Sequence, residues 1–599
     1  MPNMQRVAKR IKRMGWPILW LLGWSYFPLA AANNNKSFVK YYSINNRIPN
    51  EITLDNWFLD TNKNNTYYKA HLFLTSSALL QNQCRELAKL HPNYSSLVLP
   101  PNNRKTAPAA PLKKRFKIVH IGDSHIQSDI LSDAIRQQFQ LHFGNAGSGF
   151  LFPYGLAKSY GPRGVTASTA GIWIDYKTMT PSLDRGLGIT GYGLTSYTPN
   201  ASIHLNFSDK FKSIPYQRIK VWHSVDTTSF DISARLVVKE AIYDIVSQEL
   251  PLIYTEQVNT TPAKSWGQST FAYSSKGNLE SLTFQFGKTN AQQTHIDFYG
   301  FQLESANNSG VEYQSYGVVG SQFTHFIKNA SYAVEQLLYV QPNIIIFSFG
   351  TNEAYNGKLN NVDYYVTVQR FLDSLQLALP NTAIVIANCQ DTRSSGKIPP
   401  KQKEVNYLLR ELSEQRGFAY FDLNSAMGGW NSIYRWQQLG LTLKDRVHFT
   451  GAGYSLQGKM LASALLEEYN QSSPLPIDID ALDAEIDSFA KLLRLNSITS
   501  ESELHSLSPE LNSTLASDSS LIKKSNPAVA TPNKTASSKQ LPKTANNTFK
   551  YTVHTVKAGE SLYRIALRYN VTVDAIVKKN NLKNPKAIKP GQKILIPKK

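Results

Sequence analysis

Cysteine is nearly absent: Cys84 and Cys389 are the only two in 599 residues. A disulfide framework is therefore excluded, and buried apolar side chains must hold the chain together. The two thiols can either pair, in an oxidising compartment, or stay buried and free; the sequence leaves both open. Paired cysteines at zinc spacing and a His-Glu-x-x-His stretch are also missing, so no metal and no other cofactor is expected. After residue 29 no apolar run reaches the length that crosses a bilayer, so the mature chain is expected to carry no integral span. Acidic residues are in short supply: 64 Lys and Arg face 43 Asp and Glu, a net charge of +21. The excess sits at the ends. Residues 550–599 hold ten Lys and two Arg against one Asp and one Glu, a local +10, and the first thirteen residues add +5. The middle is only mildly basic. This argues against a nucleic-acid enzyme with a long basic groove, and for a basic tail that meets an anionic surface.

What is present begins with an export signal. Arg6, Lys9, Arg10, Lys12 and Arg13 form a charged start, residues 16–29 an apolar stretch, and Ala30-Ala31-Ala32 a small-residue cleavage site. Residues 1–32 are read as a signal peptide, which places the rest in the periplasm or cell envelope. An uncleaved anchor is the alternative, and it too puts the remainder outside the cytoplasm.

Residues 33–112 are rich in Asn, Tyr and Lys and end in a Pro-rich joint, with no fold assigned. A strand over 116–121 then stops at Gly122, and helical spacing follows over 130–143. Further short apolar runs at 343–349 (NIIIFSF), 382–387 (TAIVIA) and 418–421 suit a buried parallel sheet. Amphipathic stretches at 323–339, 362–379 and 405–416 separate them, so 113–150 and 311–475 are expected to form a doubly wound α/β domain. Between them, residues 218–225, 230–238, 281–286 and 294–301 alternate polar with apolar, an antiparallel pattern. Residues 151–310 are therefore read as an inserted β-sandwich. A helical extension is expected over 476–498. Residues 499–548 lack aromatics and read as a flexible linker, and 549–599 as a last compact unit.

The chemistry centres on Ile121-Gly122-Asp123-Ser124-His125, after a strand and before a helix, where α/β sheets place their sites. A lone serine is a weak nucleophile and needs a base with an orienting carboxylate. Asp445-Arg446-Val447-His448 supplies both on one short turn, with the carboxylate fixing the imidazole tautomer. His125, adjacent to the serine, is expected to point away. Acyl transfer also needs donors for an oxyanion. Asn352, in Gly350-Thr351-Asn352-Glu353, offers an amide at another strand end, and Gly320 offers an unobstructed N–H after the run 311–316.

These pieces, in this order, resemble the blocks of the SGNH (GDSL-type) hydrolase superfamily: Ser124, then Gly320, then Asn352, then Asp445 with His448. The resemblance implies a flavodoxin-like core, a Ser124–His448–Asp445 triad, and an oxyanion hole from the Ser124 and Gly320 N–H groups and the Asn352 amide. A β-domain between the first two blocks is similar to that of Gram-negative peptidoglycan O-acetylesterases, although Val319-Gly320-Ser321 stands where Asn-Gly-Ala would be expected. The tail, with a strand from Tyr551, helices after Gly559 and after Val571, and a closing strand at 594–597, resembles a β-α-α-β LysM domain. That family binds N-acetylglucosamine chains between two loops, which here implies Gly559, Glu560, Ser561, Leu562, Asn581, Leu582 and Ile588.

Together these resemblances imply an exported serine esterase that removes O-acetyl groups from a cell-wall polysaccharide, most naturally peptidoglycan, while LysM holds the glycan. A general GDSL lipase or acyl-esterase anchored by LysM, and an acetyltransferase using the same triad, remain as alternatives. Nucleic acid is not an expected partner.

Overall fold

The computed structural model describes residues 69–94, residues 115–494 apart from 181–185, 209–215, 240–247, 252, 260–265, 273–277, 306–308 and 331, and much of 551–597. The expected signal peptide (1–32) and linker (499–548) lie outside the described residues. Two compact units divide the chain after Ser525.

In the first unit a six-stranded sheet runs in the order Leu74–Thr75, Ala419–Phe421, Ala383–Ala387, Ile344–Ser348, Arg115–Gly122, Gly310–Gly317. The last five strands are mutually parallel, with Arg115–Gly122 paired on one side with Gly310–Gly317 and on the other with Ile344–Ser348. Counted from Arg115–Gly122 along the chain, their order is 2-1-3-4-5, the flavodoxin-like arrangement. The strands Ile344–Ser348, Ala383–Ala387 and Ala419–Phe421 read as almost unbroken apolar runs because both of their faces are covered, whereas Gly310–Gly317, at the edge, carries Glu312, Gln314 and Ser315. The apolar runs at 343–349, 382–387 and 418–421 thus become the strands Ile344–Ser348, Ala383–Ala387 and Ala419–Phe421.

Two helices depart from the pattern. The stretch expected as one helix over 323–339 is two, Phe323–Asn329 and Ala333–Val340. The break faces the insert: Asn329 donates its side-chain amide to the Thr178 carbonyl, and the Tyr332 N–H donates to the Leu187 carbonyl. Residues 69–94 are built into the α/β domain. Leu74–Thr75 adds an antiparallel edge to the sheet, and the helix Ala78–Leu87 joins the same apolar core as Leu461, Leu465 and Tyr469 of the helix Gly451–Ser472. Cys84, in the first of these helices, and Cys389, beyond Ala383–Ala387, are both buried free thiols.

The insert is a sandwich of two antiparallel sheets. One has five strands in the order Gln248–Pro251, Asp231–Lys239, Asn278–Gly287, Ala201–Phe207, Val165–Ala170. The other is built around Ile296–Ser305, which pairs with Tyr216–Ser224, Tyr192–Ser196 and Gly147–Leu151. Inward residues such as Leu205, Phe284, Phe298 and Phe301 fill the space between the sheets. The sandwich is welded to the α/β core. Trp222 and Trp266 stack at 5.4 Å, and Tyr339 of the helix Ala333–Val340 packs edge-on against both. At the return to the core, buried Glu304 meets Arg115 at 2.9 Å and Lys220 at 2.5 Å.

The second unit pairs the strands Tyr551–Thr555 and Lys593–Pro597 antiparallel, with a helix Val573–Lys579 against them. Val556, Leu562, Ile565, Ile576, Ile594 and Ile596 form its core.

Candidate active site

The parallel strands bring the separated motifs to one end of the sheet. Gly122 ends the first strand, Asp123 caps the short helix Ser124–Gln127 by accepting the His125 N–H at 3.0 Å, and Ser124 opens that helix. Ser124 Oγ lies 3.2 Å from Nε2 of His448. Nδ1 of His448 lies 2.7 Å from Oδ2 of Asp445. The other Asp445 oxygen accepts the backbone N–H groups of Val447 and His448, both at 3.0 Å. Burial works against the Asp445 charge, but these donors, the His448 ring first, outweigh it and lower its pKa to about 2. Three residues drawn from opposite ends of the domain therefore form one hydrogen-bonded line.

The turn that carries this pair is held open by Arg446, whose φ of 56° is left-handed. Its Nε donates to Gln437 at 2.7 Å, and its guanidinium lies 5.0 Å over the Tyr434 ring.

Asn352 and Gly320 reach the same end. Asn352 Nδ2 donates to the Ser321 carbonyl at 3.0 Å and, at a longer 3.3 Å, to Asp123 Oδ2, directly before the serine. Gly320 has φ 76°, the left-handed region that favours glycine over any residue with a side chain. Glu353 ties two loops together: its carboxylate accepts the N–H of Gly350 at 3.1 Å and of Phe323 at 2.6 Å. Burial raises both Asp123 and Glu353 to about 7.

Several contributors were not legible beforehand. His125 does not simply point away; its ring stacks on His448, held by Tyr454 Oη at 3.0 Å and Gln390 Nε2 at 2.6 Å. Gln127 accepts the N–H of Val319 at 2.7 Å and the hydroxyl of Tyr192 at 3.1 Å, and donates to Ser159 Oγ at 2.7 Å. Tyr160 donates its hydroxyl to the Ser124 carbonyl at 3.1 Å. Gly317 lies so close that a Cβ would stand 2.1 Å from the Gln127 nitrogen. Nothing in the sequence pointed to Gln127 or Tyr160, whose partners lie far away in the chain.

Among the described residues no group of three or more His, Cys, Asp or Glu could hold a metal ion, and no helix is long and apolar enough to cross a membrane. In the second unit, Gly559, Glu560, Ser561 and Asn581 lie outside the described residues. Leu562 is buried, and Leu582 and Ile588 pack partly buried against the same core.

Comparisons follow this geometry. The GDSL-like lipase/acylhydrolase family matches residues 280–456. That stretch begins beyond most of the insert, so Gly122–Ser124 lies outside it. The LysM domain family matches residues 554–597. No curated protein matches the sequence significantly. Among solved structures, a peptidoglycan O-acetylesterase aligns over 67% of this chain and 99% of its own, at 20% identity and a TM-score of 0.50, a likeness of fold. An acetylxylan esterase from Geobacillus stearothermophilus aligns over 27% of this chain and 73% of its own, at 17% identity and a TM-score of 0.22. A family two carbohydrate esterase from Cellvibrio japonicus aligns over 51% and 99%, at 11% identity and 0.22. The chain carries a GDSL-like lipase/acylhydrolase domain, and with it esterase chemistry, joined to a C-terminal LysM domain.

Proposed function

We propose that this protein is an exported serine esterase that removes O-acetyl groups from peptidoglycan, with its LysM domain holding the glycan. The observation that carries the reading is the line from Ser124 Oγ through His448 to Asp445, at 3.2 and 2.7 Å, at the carboxyl end of a 2-1-3-4-5 sheet. In this mechanism Ser124 Oγ attacks the acetyl carbonyl as Nε2 of His448 takes its proton. Asp445 keeps the other ring nitrogen protonated and stabilises the imidazolium. The oxyanion is met by the N–H groups of Ser124 and Gly320 and by the Asn352 amide, which exchanges its long bond to Asp123 for the developing charge. As the tetrahedral intermediate collapses and the ester C–O bond breaks, His448 returns the proton to the departing sugar oxygen, which leaves as a hydroxyl, and an acetyl-serine remains. Water, deprotonated by the same imidazole, then releases acetate and restores Ser124.

The substrate assignment draws on the second unit and on export. A LysM tether concentrates the esterase on N-acetylglucosamine-containing chains, and a +10 tail suits the carboxylates of stem peptides. The peptidoglycan O-acetylesterase that shares the fold lends the substrate its name. Incubation with O-acetylated and with de-acetylated peptidoglycan, with released acetate measured, tests the reading. Acetate should appear only from the acetylated polymer and only with Ser124 present. Hydrolysis of lipid esters, with no acetate released from the wall, would refute it.

A further inference from the structure

We propose that the ring of Tyr160 is a platform on which the sugar bearing the ester stacks, so that the insert supplies one wall of the catalytic cleft. This rests on the glycan-ester reading above and adds a substrate-contacting residue to it. Tyr160 lies at the start of the insert, between the strands Gly147–Leu151 and Val165–Ala170. Its hydroxyl bonds to the carbonyl of Ser124 itself, which places the ring beside the nucleophile. Its neighbours there are buried: Phe152, Tyr154 and Tyr192 pack ring to ring at 5.1–5.3 Å. Tyr160 is 47% exposed.

An aromatic side chain fixed at its polar tip and nearly half exposed is suited to stacking. The tip is held by that hydrogen bond to the Ser124 carbonyl, for which the phenol is the donor. The backbone is held as well. Gln127 grips Ser159 and the carbonyl of Tyr160, and Gly161 lies against the Tyr154 ring so closely that a Cβ would sit 2.4 Å from it. Such a ring loses little freedom when a ligand covers it. A pyranose presents an apolar C–H face with polar edges. Here the polar edges would meet half-exposed Asp445 and His448 and the donors around Asn352. A single ring among polar groups matches that ligand better than an acyl chain, which needs a continuous apolar channel.

The test uses the full chain and an O-acetylated disaccharide released from peptidoglycan, with acetate release measured across substrate concentrations. Tyr160→Ala and Tyr160→Leu, which remove the flat face, should raise KM about tenfold while kcat stays within about threefold. Tyr160→Phe keeps the face but frees the tip, so it should raise KM by only about threefold, less than Ala or Leu. The Leu variant retains bulk, so its KM separates loss of the platform from loss of packing. If Ala and Leu leave KM unchanged while wild type releases acetate, the platform alone is overturned. It is equally overturned if Phe raises KM as much as Ala, because the hydroxyl anchor would then carry the effect. If wild type releases no acetate from the disaccharide, the glycan-ester reading fails and takes the platform with it.

Discussion

The ring of His125 lies on the ring of His448, with centroids 5.4 Å apart and planes 28° from parallel. Burial first, then the neighbouring His448, pushes the His125 pKa well below its ordinary value, so this ring stays neutral. A charged ring in that position would repel the imidazolium that the proposed mechanism forms. In that mechanism His125 would be a flat, uncharged wall that fixes the plane of the base. His125→Ala should lower kcat about tenfold with little change in KM, and His125→Phe should recover part of the loss. Steady-state kinetics on a small acetyl ester decides it.

The oxyanion donors give a second expectation. The Asn352 amide is already engaged by Ser321 and Asp123. Only a developing negative charge should draw it away, so its effect belongs to the transition state. Asn352→Ala should cost about 10²–10³ in kcat and little in KM. A change confined to KM would refute that role. Asp445→Asn, which reverses the tautomer of His448, should cost of order 10³–10⁴.

How these groups meet was only partly readable from the residues. Ser124, Asn352 and His448 each follow an apolar run or precede a glycine turn, so local pattern alone put them at the mouth of a sheet. The strand Leu74–Thr75 escaped notice because two residues carry no periodicity. The division into Phe323–Asn329 and Ala333–Val340 goes with bonds from Asn329 and Tyr332 to the carbonyls of Thr178 and Leu187, far away in the chain. Gln127 is the plainest case. A glutamine in a short helix is unremarkable until the insert delivers Tyr192 and Ser159 to it and the return strand delivers Val319.

Arg446 offers a test of the catalytic turn. Its left-handed backbone lies between Asp445 and His448, a conformation that costs a side-chain-bearing residue about 1 kcal/mol. Tyr434 and Gln437 clamp the side chain in place. Arg446→Ala removes the clamp but keeps the strain, so stability should fall by about 1 kcal/mol and kcat several-fold. Arg446→Gly relieves the strain and should recover most of the stability. Urea unfolding of the two variants separates backbone from clamp.

Glu353 makes a prediction about pH. Its pKa is raised by burial to about 7, so the folded chain keeps a proton that the unfolded chain has released. The stabilisation is complete below the unfolded value, near 4.5, and is lost as pH rises through about 7. Buried His120 and His223, lowered by burial to about 3 and about 4, act in the opposite sense. The readout is therefore the difference between wild type and Glu353→Gln, whose side chain carries no titration. The advantage of wild type in melting temperature should shrink steadily between about pH 4.5 and pH 7.5. A constant difference across that range would mean the carboxylate is ionised throughout.

The two units should work apart. The helix Asp480–Arg494 packs on the hydrolase through Phe489, whose ring meets Trp436 at 5.3 Å, so a truncation must leave it in place. Stopping the chain after about residue 500 keeps Ser124, Gly320, Asn352, Asp445 and His448, and activity on a soluble acetyl ester should stay within about twofold. Activity on insoluble peptidoglycan should fall by about tenfold or more, because the tether that raises local substrate concentration is gone. The complementary fragment, residues 549–599, should sediment with purified wall material. Its +10 charge complicates that result, since anionic walls attract any cation. Salt separates the causes: charge-only attachment weakens as the screening length drops below about 8 Å, whereas sugar contacts survive moderate salt. Retention of the fragment in the pellet at about 0.5 M salt supports glycan recognition. A fragment that stays in the supernatant even at low salt would remove the tether from the account of how this esterase finds its polymer.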